Sequence, residues 1–193
     1  MIKFIGITGK AQSGKDSVAD VLQKELDYSI RYALADPIKA AVFGMLGLET
    51  LSERTNLMQS KEEEIPWLGL SPRALMQSIG TELRKDLDPD IWTRFLSKFC
   101  ADFVELEEVF ESNNKEEPLY VIVPDVRFNN EAHYIKIEGG IVVHVIKPDV
   151  PTIRPHASEA GISSKYVDHV IENDGTLQDL EEKVKQLIQE EIK

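Results

Sequence analysis

The residues with the clearest chemical potential lie near the start of the chain. Residues 9–15 read Gly-Lys-Ala-Gln-Ser-Gly-Lys, which matches the spacing G-x-x-x-x-G-K. Glycines let a backbone wrap closely around phosphate oxygens, and a lysine at the start of the following helix reaches the β- and γ-phosphates. The pattern predicts a loop that binds the phosphates of a nucleoside triphosphate, formed by Gly9, Lys10, Ala11, Gln12, Ser13, Gly14 and Lys15.

The two positions after this lysine depart from the general pattern. A serine or threonine usually follows the lysine and binds Mg²⁺, whereas here Asp16 follows it and Ser17 comes one position later. On a helix, Ser17 lies about 100° further round than the usual ligand. We therefore predict that Asp16 or Ser17 serves the metal, directly or through water. The alternative for Asp16 is a favourable charge in a first helical turn.

The elements on both sides of the loop have the patterns that would position it. Residues 2–8 are apolar and end at a glycine, which predicts a buried parallel strand, and apolar spacing predicts a helix over about residues 14–26. A second strand is predicted at 29–34, and proline in a first turn indicates a helix that begins near Asp36. Strand and helix therefore alternate from the start of the chain.

The middle third differs, because residues 37–110 show helical patterns and no convincing strand. We interpret about residues 37–115 as a helical insertion within a single domain that spans residues 1–193. Ser71 is predicted to cap a helix that begins at Pro72. A long helix is predicted over about 91–111, with a core-facing stripe formed by Phe95, Phe99, Phe103, Leu106 and Phe110.

The last third returns to alternating strands and helices. Strands are predicted at 119–125, 140–146 and 167–171, helices at 129–138 and 176–192, and a polar loop or lid at 147–165. The fold class is therefore α/β, with a five-stranded parallel sheet and helices on both faces. Ligands of such sheets bind beyond the carboxyl ends of the strands, where the sequence places Asp36, Asp125 and Arg127.

Composition excludes some partners and leaves others open. The formal net charge of −12 disfavours polymeric nucleic acid, although local amides and arginines can still bind a small phosphorylated ligand. Candidate arginines for an acceptor phosphate include Arg73, Arg84, Arg94 and Arg154. The lone cysteine indicates a reducing compartment, the cytoplasm, and we expect neither a signal peptide nor a membrane span. The loop alone leaves kinase, GTPase and motor open.

Several stretches together resemble the deoxynucleoside monophosphate kinases of tailed phages, a branch of the P-loop kinases. The resemblance covers nearly the whole chain. It rests on residues 9–17, on Pro-Arg-Ala-Leu-Met-Gln-Ser-Ile-Gly-Thr-Glu at 72–82 with Asp-Pro-Asp-Ile-Trp at 88–92, and on Pro-Asp-Val-Arg-Phe-Asn-Asn-Glu at 124–131. Gly139-Gly140, His-Ala-Ser-Glu at 156–159 and Asn-Asp-Gly-Thr-Leu at 173–177 complete it. The aspartate after the loop lysine is similar to what this family carries.

The resemblance implies a three-layer P-loop kinase fold and Mg²⁺-dependent transfer of the γ-phosphoryl group of ATP to a deoxynucleoside 5′-monophosphate. It also implies the parts of the site. Lys15, Asp16, Arg73 and Arg127 would be catalytic. The monophosphate site would comprise Arg73, Gln77, Gly80, Thr81, Trp92, Asp125, Arg127 and Glu131. Asp36 is added to this substrate site from its position at the end of the second strand. ATP would contact residues 9–17, Arg154, Asn173 and Gly175, with Asn173 and Gly175 near the adenine, and the chain would form a homodimer in a host cytoplasm.

Alternatives stay open at this stage. Trp92 is either a stacking face for the acceptor base or a core residue of its helix. Residues 173–176 either contact adenine or form a turn in which Thr176 caps a helix. For the whole chain, the alternatives are another small-molecule kinase, one similar to dephospho-coenzyme A kinase, and a non-catalytic nucleotide-binding regulatory module.

Overall fold

A five-stranded parallel sheet organises the first and last parts of the chain. The computed structural model describes residues 1–110, 118–148 and 161–192. The strands are β1 (Ile2–Thr8), β2 (Ser29–Arg31), β3 (Leu119–Val123), β4 (Ile141–Ile146) and β5 (His169–Glu172). They pair in the order β2-β3-β1-β4-β5, and every pairing is parallel. The central strand is β1, and its carboxyl end leads directly into the glycine-rich loop.

Helices connect these strands. They are α1 (Lys15–Glu25), α2 (Asp36–Met45), α3 (Leu51–Gln59), α4 (Pro72–Asp86), α5 (Ile91–Phe110), α6 (Asn129–Ile137) and α7 (Leu177–Leu187). A short 3-10 helix, Ser164–Tyr166, precedes β5, and a π-helical segment, Ile188–Ile192, follows α7. Across the described ranges, no helix is both long and apolar enough to cross a bilayer.

Both faces of the sheet are covered by helices, as the sequence predicted. Ile5 and Ile7 on one face of β1 belong to a buried cluster with apolar residues of α1 and α7. On the other face, the Phe4 ring lies edge-on to Tyr134 of α6, with centroids 5.8 Å apart, and a methyl group on Gly6 would collide with Ile135. The α/β fold class with a five-stranded parallel sheet is confirmed.

The chain divides into two compact units. We call residues 1–33 with 101–193 the sheet unit and residues 34–100 the helical unit. The helical unit contains α2, α3, α4 and the first half of α5, with one isolated antiparallel bridge between Ile65 and Leu70. The predicted helical character of the middle third is confirmed. The single domain and the insertion bounds of 37–115 stay predictions.

Two predicted elements differ in detail. β2 ends at Arg31, not at 34, although the Tyr32 N–H still donates to the Ile122 carbonyl at 3.0 Å. The predicted core stripe of α5 is wrong at Phe95 and Leu106, which are 46% and 57% exposed. Trp92, Leu96 and Cys100 form the buried face, whereas Phe99 and Phe103 are partly buried. The side chain of Phe110 lies outside the described residues. The predicted stripe and the buried residues both recur at helical spacing. They differ by only one to three positions along α5, which is enough to turn a residue from the covered face of a helix to the open one.

Candidate active site

The glycine-rich loop adopts a left-handed backbone at three positions. Gly9, Gln12 and Gly14 have φ values of 144°, 64° and 99°, between the end of β1 and the start of α1. Gln12 matters most, because a residue with a Cβ enters the left-handed region at a cost of about 1–3 kcal/mol and does so mainly at functional sites. When right-handed and left-handed backbone conformations alternate, successive N–H groups point into one concave surface, which binds anions.

Close packing fixes the two glycines independently of their backbone angles. A side chain on Gly9 would collide with the Val145 carbonyl, and a side chain on Gly14 would collide with the side-chain amide of Asn173. Between them, Ser13 is buried, and its hydroxyl has no hydrogen-bond partner within the described ranges. The loop is therefore tightly held by its surroundings and retains a buried donor.

Lys15 lies at the first position of α1 and folds back over the loop. Its ammonium group donates to the Lys10 carbonyl at 2.6 Å. On the neighbouring strand, His144 pairs with Thr8 in the parallel register. The pKa of His144 lies below its ordinary value of 6.5, first because burial disfavours the charged ring and second because Lys15 repels it. Both effects favour the neutral form of the His144 imidazole.

Asp16 and Ser17 follow in the first turn of α1. The Asp16 carboxylate forms an ion pair with Arg31 at the end of β2, and the same guanidinium binds Asp20 at 2.7 Å. Asp16 is exposed, so this pair can rearrange at low cost. Within the described ranges, no three or more His, Cys, Asp or Glu side chains cluster as a metal cage. Mg²⁺ rarely uses such a cage, because it prefers one or two carboxylates together with substrate phosphates and water.

Asn173 supports the phosphate loop from the end of β5. Its side-chain amide donates to the Ser13 carbonyl at 2.9 Å, and its backbone N–H donates to the Ile146 carbonyl. The sequence placed Asn173 near adenine and missed this contact. Gly175 packs against Asp179, and the Thr176 hydroxyl accepts from the Asp179 N–H at 3.2 Å. The interpretation of Thr176 as a helix cap is confirmed.

The loop after β3 carries Asp125 and Arg127 at the same edge of the sheet. The Val126 N–H donates to the Ile7 carbonyl at 3.0 Å and ties this loop to β1. Glu131 is only 1% exposed, and its Oε2 accepts from the N–H groups of Arg127 (2.8 Å) and Phe128 (3.1 Å). Glu131 therefore positions the Arg127 backbone, and its predicted place in the monophosphate site stays a prediction.

In the helical unit, α4 presents Arg73, Gln77 and Thr81 at four-residue spacing, on one side of the helix. Ser71 caps α4 through the Ala74 N–H, as predicted. The Arg73 guanidinium forms an ion pair with Glu62. Gln77 is partly buried, and Thr81 is exposed. This face of α4 therefore offers a cation, an amide and a hydroxyl.

Gly80 and Trp92 are packing residues of the helical unit. Trp92 is 3% exposed, its indole N–H donates to the Gly80 carbonyl at 3.2 Å, and its ring stacks on Phe95. A side chain on Gly80 would press on Ile38 of α2 at 3.1 Å. The contacts of Trp92 confirm its interpretation as a core residue of its helix.

Asp36 lines a cavity of about 270 Å³ in the helical unit, together with Lys39, Ala40, Phe43 and Arg54. Sequence reasoning singled out Asp36 and missed the others. The four α2 residues recur at i, i+3, i+4 and i+7, a helix-face pattern that could have revealed them. Arg154 and most of the predicted lid lie outside the described residues, so the predictions for them stay untested.

Comparisons with known proteins agree with this combination of fold and loop. A sequence model of the family described as "Deoxynucleotide monophosphate kinase" matches residues 3–66 and 48–184. A putative deoxynucleotide monophosphate kinase of Acanthamoeba polyphaga mimivirus is 29% identical over 188 residues, which cover 91% of each chain. The deoxynucleotide monophosphate kinase of Enterobacteria phage T4 is 27% identical over 246 residues, covering 95% of this chain and 98% of the relative.

A third relative, the deoxynucleoside-5′-monophosphate kinase of Escherichia phage T5, is 29% identical over 241 residues, with 90% of each chain covered. The fold and the loop define a P-loop α/β enzyme. The family match spans most of the sequence, and the chain belongs to the deoxynucleotide monophosphate kinase family. It is therefore a kinase that uses a nucleotide phosphoryl donor.

Proposed function

We propose that this enzyme transfers the γ-phosphoryl group of ATP to a deoxynucleoside 5′-monophosphate and releases ADP and the deoxynucleoside diphosphate. The observation that carries the proposal is the left-handed loop at residues 9–14, with Lys15 folded over it, in a chain of this family. The buried Ser13 hydroxyl adds a donor suited to a phosphate oxygen. The phosphates of ATP would lie against residues 9–17.

The proposed reaction is a direct displacement. A phosphate oxygen of the acceptor bonds to the γ-phosphorus, the bond from that phosphorus to the β–γ bridging oxygen breaks, and the electron pair leaves with ADP. The protein contributes position and charge, because the Lys15 ammonium stabilises the negative charge that spreads over the transferred group. No covalent enzyme intermediate forms, so we expect burst-free kinetics and inversion at phosphorus.

Asp16 and Ser17 have the hard oxygen ligands that Mg²⁺ prefers, and together with ATP phosphates they would complete its coordination. When bound, Mg²⁺ would neutralise part of the charge of the ATP phosphates. The Asp16 carboxylate accepts a hydrogen bond from the Arg31 guanidinium, and its exposure leaves it accessible. Asp16 or Ser17 would serve the metal, directly or through water.

Arg127 in the sheet unit is proposed as a ligand of the acceptor phosphate, because its planar guanidinium group suits bidentate phosphate contacts. Arg73 in the helical unit has the same chemistry and stays a second candidate. Arg73 now pairs with the exposed carboxylate of Glu62, a partner that a phosphate dianion can displace. Asp125 and Gln77 would orient the sugar or the base through hydrogen bonds. Glu131 would act through the backbone of Arg127.

The proposal also covers the ligands, the oligomeric state and the compartment of the enzyme. Its ligands are free nucleotides, because the net charge of −12 opposes binding to polymeric nucleic acid. We propose a homodimer that acts in the cytoplasm, the host cytoplasm if a phage encodes it.

A coupled ADP-release assay over a panel of acceptors tests this function. We expect turnover with deoxynucleoside monophosphates such as dTMP and dGMP, none with dephospho-coenzyme A, and a rate without acceptor lower by orders of magnitude. Turnover of dephospho-coenzyme A alone would identify another small-molecule kinase. An ADP-release rate that ignores every acceptor would instead indicate a regulatory nucleotide-binding module.

A further inference from the structure

The acceptor base needs a surface, and the residue predicted to supply it is buried. Trp92 packs inside the helical unit, with Phe95 stacked on it and the Arg84 guanidinium 5.8 Å from its ring centroid. A nucleobase is a flat group with a π face and with donors and acceptors at its edge, and proteins bind it by stacking it on an aromatic or guanidinium plane. The helical unit offers another place with these groups.

That place is the cavity between α2 and α3. Asp36, Lys39 and Phe43 line it from one face of α2, and Arg54 lines it from α3. Its volume is about 270 Å³. The volume falls just below the range of about 300–1,000 Å³ typical of pockets for whole ligands. The size therefore suits one flat ring system.

The groups in the cavity are held in place by the fold. A reciprocal pair of hydrogen bonds between Thr50 and Glu53 fixes the start of α3, and Arg54 directly follows Glu53. The Arg54 Nε donates to the Leu48 carbonyl at 3.1 Å, and its guanidinium carbon lies 5.6 Å from the centroid of the Phe43 ring. The guanidinium therefore lies over the Phe43 ring in a cation–π contact, and both groups belong to the lining of the cavity.

The cavity also has polar groups for a base edge. The Lys39 ammonium and the Asp36 carboxylate are paired at 2.8 Å, and both are partly exposed. Together they supply donors and an acceptor beside the aromatic surface. We propose that this cavity binds the nucleobase of the acceptor monophosphate, with Phe43 and Arg54 as its stacking surfaces and Asp36 with Lys39 at its edge. This inference rests on the proposed function, since it assigns part of the acceptor site.

The test separates the base from the rest of the acceptor. We would measure the Kd of a deoxynucleoside monophosphate by calorimetry, and the Ki of 2-deoxyribose 5-phosphate, which lacks the base. Phe43→Leu removes the aromatic face but keeps an apolar side chain, and Arg54→Lys keeps the charge but removes the plane. Phe95→Leu is the matched control, an aromatic residue of the same unit outside the cavity.

Loss of stacking should weaken monophosphate binding by between about fivefold and 150-fold in Phe43→Leu, and by a smaller factor in Arg54→Lys. The Ki of 2-deoxyribose 5-phosphate and the KM for ATP should stay within about twofold of the wild type. The control should match the wild type. Thermal melting of each variant would identify a folding defect in one of them, and the other then decides.

Unchanged monophosphate binding in folded Phe43→Leu and Arg54→Lys would overturn the inference. An equal loss for 2-deoxyribose 5-phosphate, or an equal loss in the control, would do the same, because the effect would then not concern the base. The proposed function fails separately, if the wild type binds monophosphates without phosphorylating them. The binding ratios would still decide the role of the cavity in that case.

Discussion

At the scale of single residues, Asn173 shows how a side chain distant in sequence fixes the phosphate loop. Its amide donates to the Ser13 carbonyl and lies against the α-carbon of Gly14. This contact holds the loop in a conformation that includes a strained residue, Gln12. Asn173 is therefore a positioning residue whose effect should appear on the ATP side of the reaction.

We predict that Asn173→Ala raises the KM for ATP by about fivefold, because a lost hydrogen bond is worth about 1 kcal/mol. The KM for the acceptor should not change. Steady-state kinetics with each substrate varied in turn measure both constants. Thr176→Ala is the control, since it removes a cap of α7 and lowers the melting temperature without a contact to the loop. An equal rise of the KM for ATP in both variants would contradict the positioning role.

A second prediction concerns Asp16. Asp16→Asn should abolish most Mg²⁺-dependent turnover and leave nucleotide binding nearly intact, because the amide is a poor Mg²⁺ ligand while the loop is unchanged. Activity as a function of Mg²⁺ concentration, together with nucleotide binding by calorimetry, measures both effects. Asp20→Asn is a matched control, because Asp20 binds the same Arg31. If the two variants behave alike, the loss stems from Arg31 and not from a metal ligand.

A third prediction is a pH dependence of stability from His144. Its pKa in the folded protein is lowered, so the unfolded chain binds a proton first as the pH falls. The free energy of unfolding should therefore decrease as the pH falls below 6.5, before the carboxylates titrate. Urea unfolding at several pH values measures it, and His144→Gln should lack this part of the decrease. Identical pH profiles for both proteins would exclude the assignment.

At the scale of elements, α6 and the loop before it act together. Glu131 in the first turn of α6 accepts hydrogen bonds from two backbone N–H groups of that loop. One of the two belongs to Arg127. Glu131→Ala should lower stability by about 1–2 kcal/mol, as the loss of a helix cap does. It should also lower kcat/KM for the acceptor more than for ATP.

The double variant separates positioning from mere stability. Arg127→Ala should greatly reduce kcat/KM for the acceptor, and adding Glu131→Ala to it should have little further effect on catalysis, because the two residues act as one unit. Steady-state kinetics of the four proteins give the coupling. Independent, additive losses would show that Glu131 does not act through Arg127.

Elements whose pattern is local could be predicted from the sequence. The strands of the sheet are apolar runs that end at turn residues, and the phosphate loop follows from the spacing of Gly9, Gly14 and Lys15. The buried face of α5 could not be predicted, because two apolar stripes compete and only the packing of the folded helix decides which is covered. The site also contains features that no local pattern predicts. The hydrogen bond of Asn173 joins segments that are distant in sequence, and Phe43 lines a cavity that only the folded helices form.

At the scale of the whole molecule, the two units have different proposed binding roles. The sheet unit carries the phosphate loop, Asn173 and the loop with Arg127, all at the carboxyl ends of parallel strands. The helical unit carries Arg73, Gln77 and the cavity at Phe43. We therefore assign the donor triphosphate to the first unit and the base of the acceptor to the second.

Transfer of the label from γ-³²P-ATP tests the central claim most directly. With a deoxynucleoside monophosphate and Mg²⁺ present, we predict that the label appears in the deoxynucleoside diphosphate, in an amount equal to the ADP formed, and that Lys15→Ala abolishes the transfer. Label found in inorganic phosphate or on the protein would contradict a direct transfer between two nucleotides.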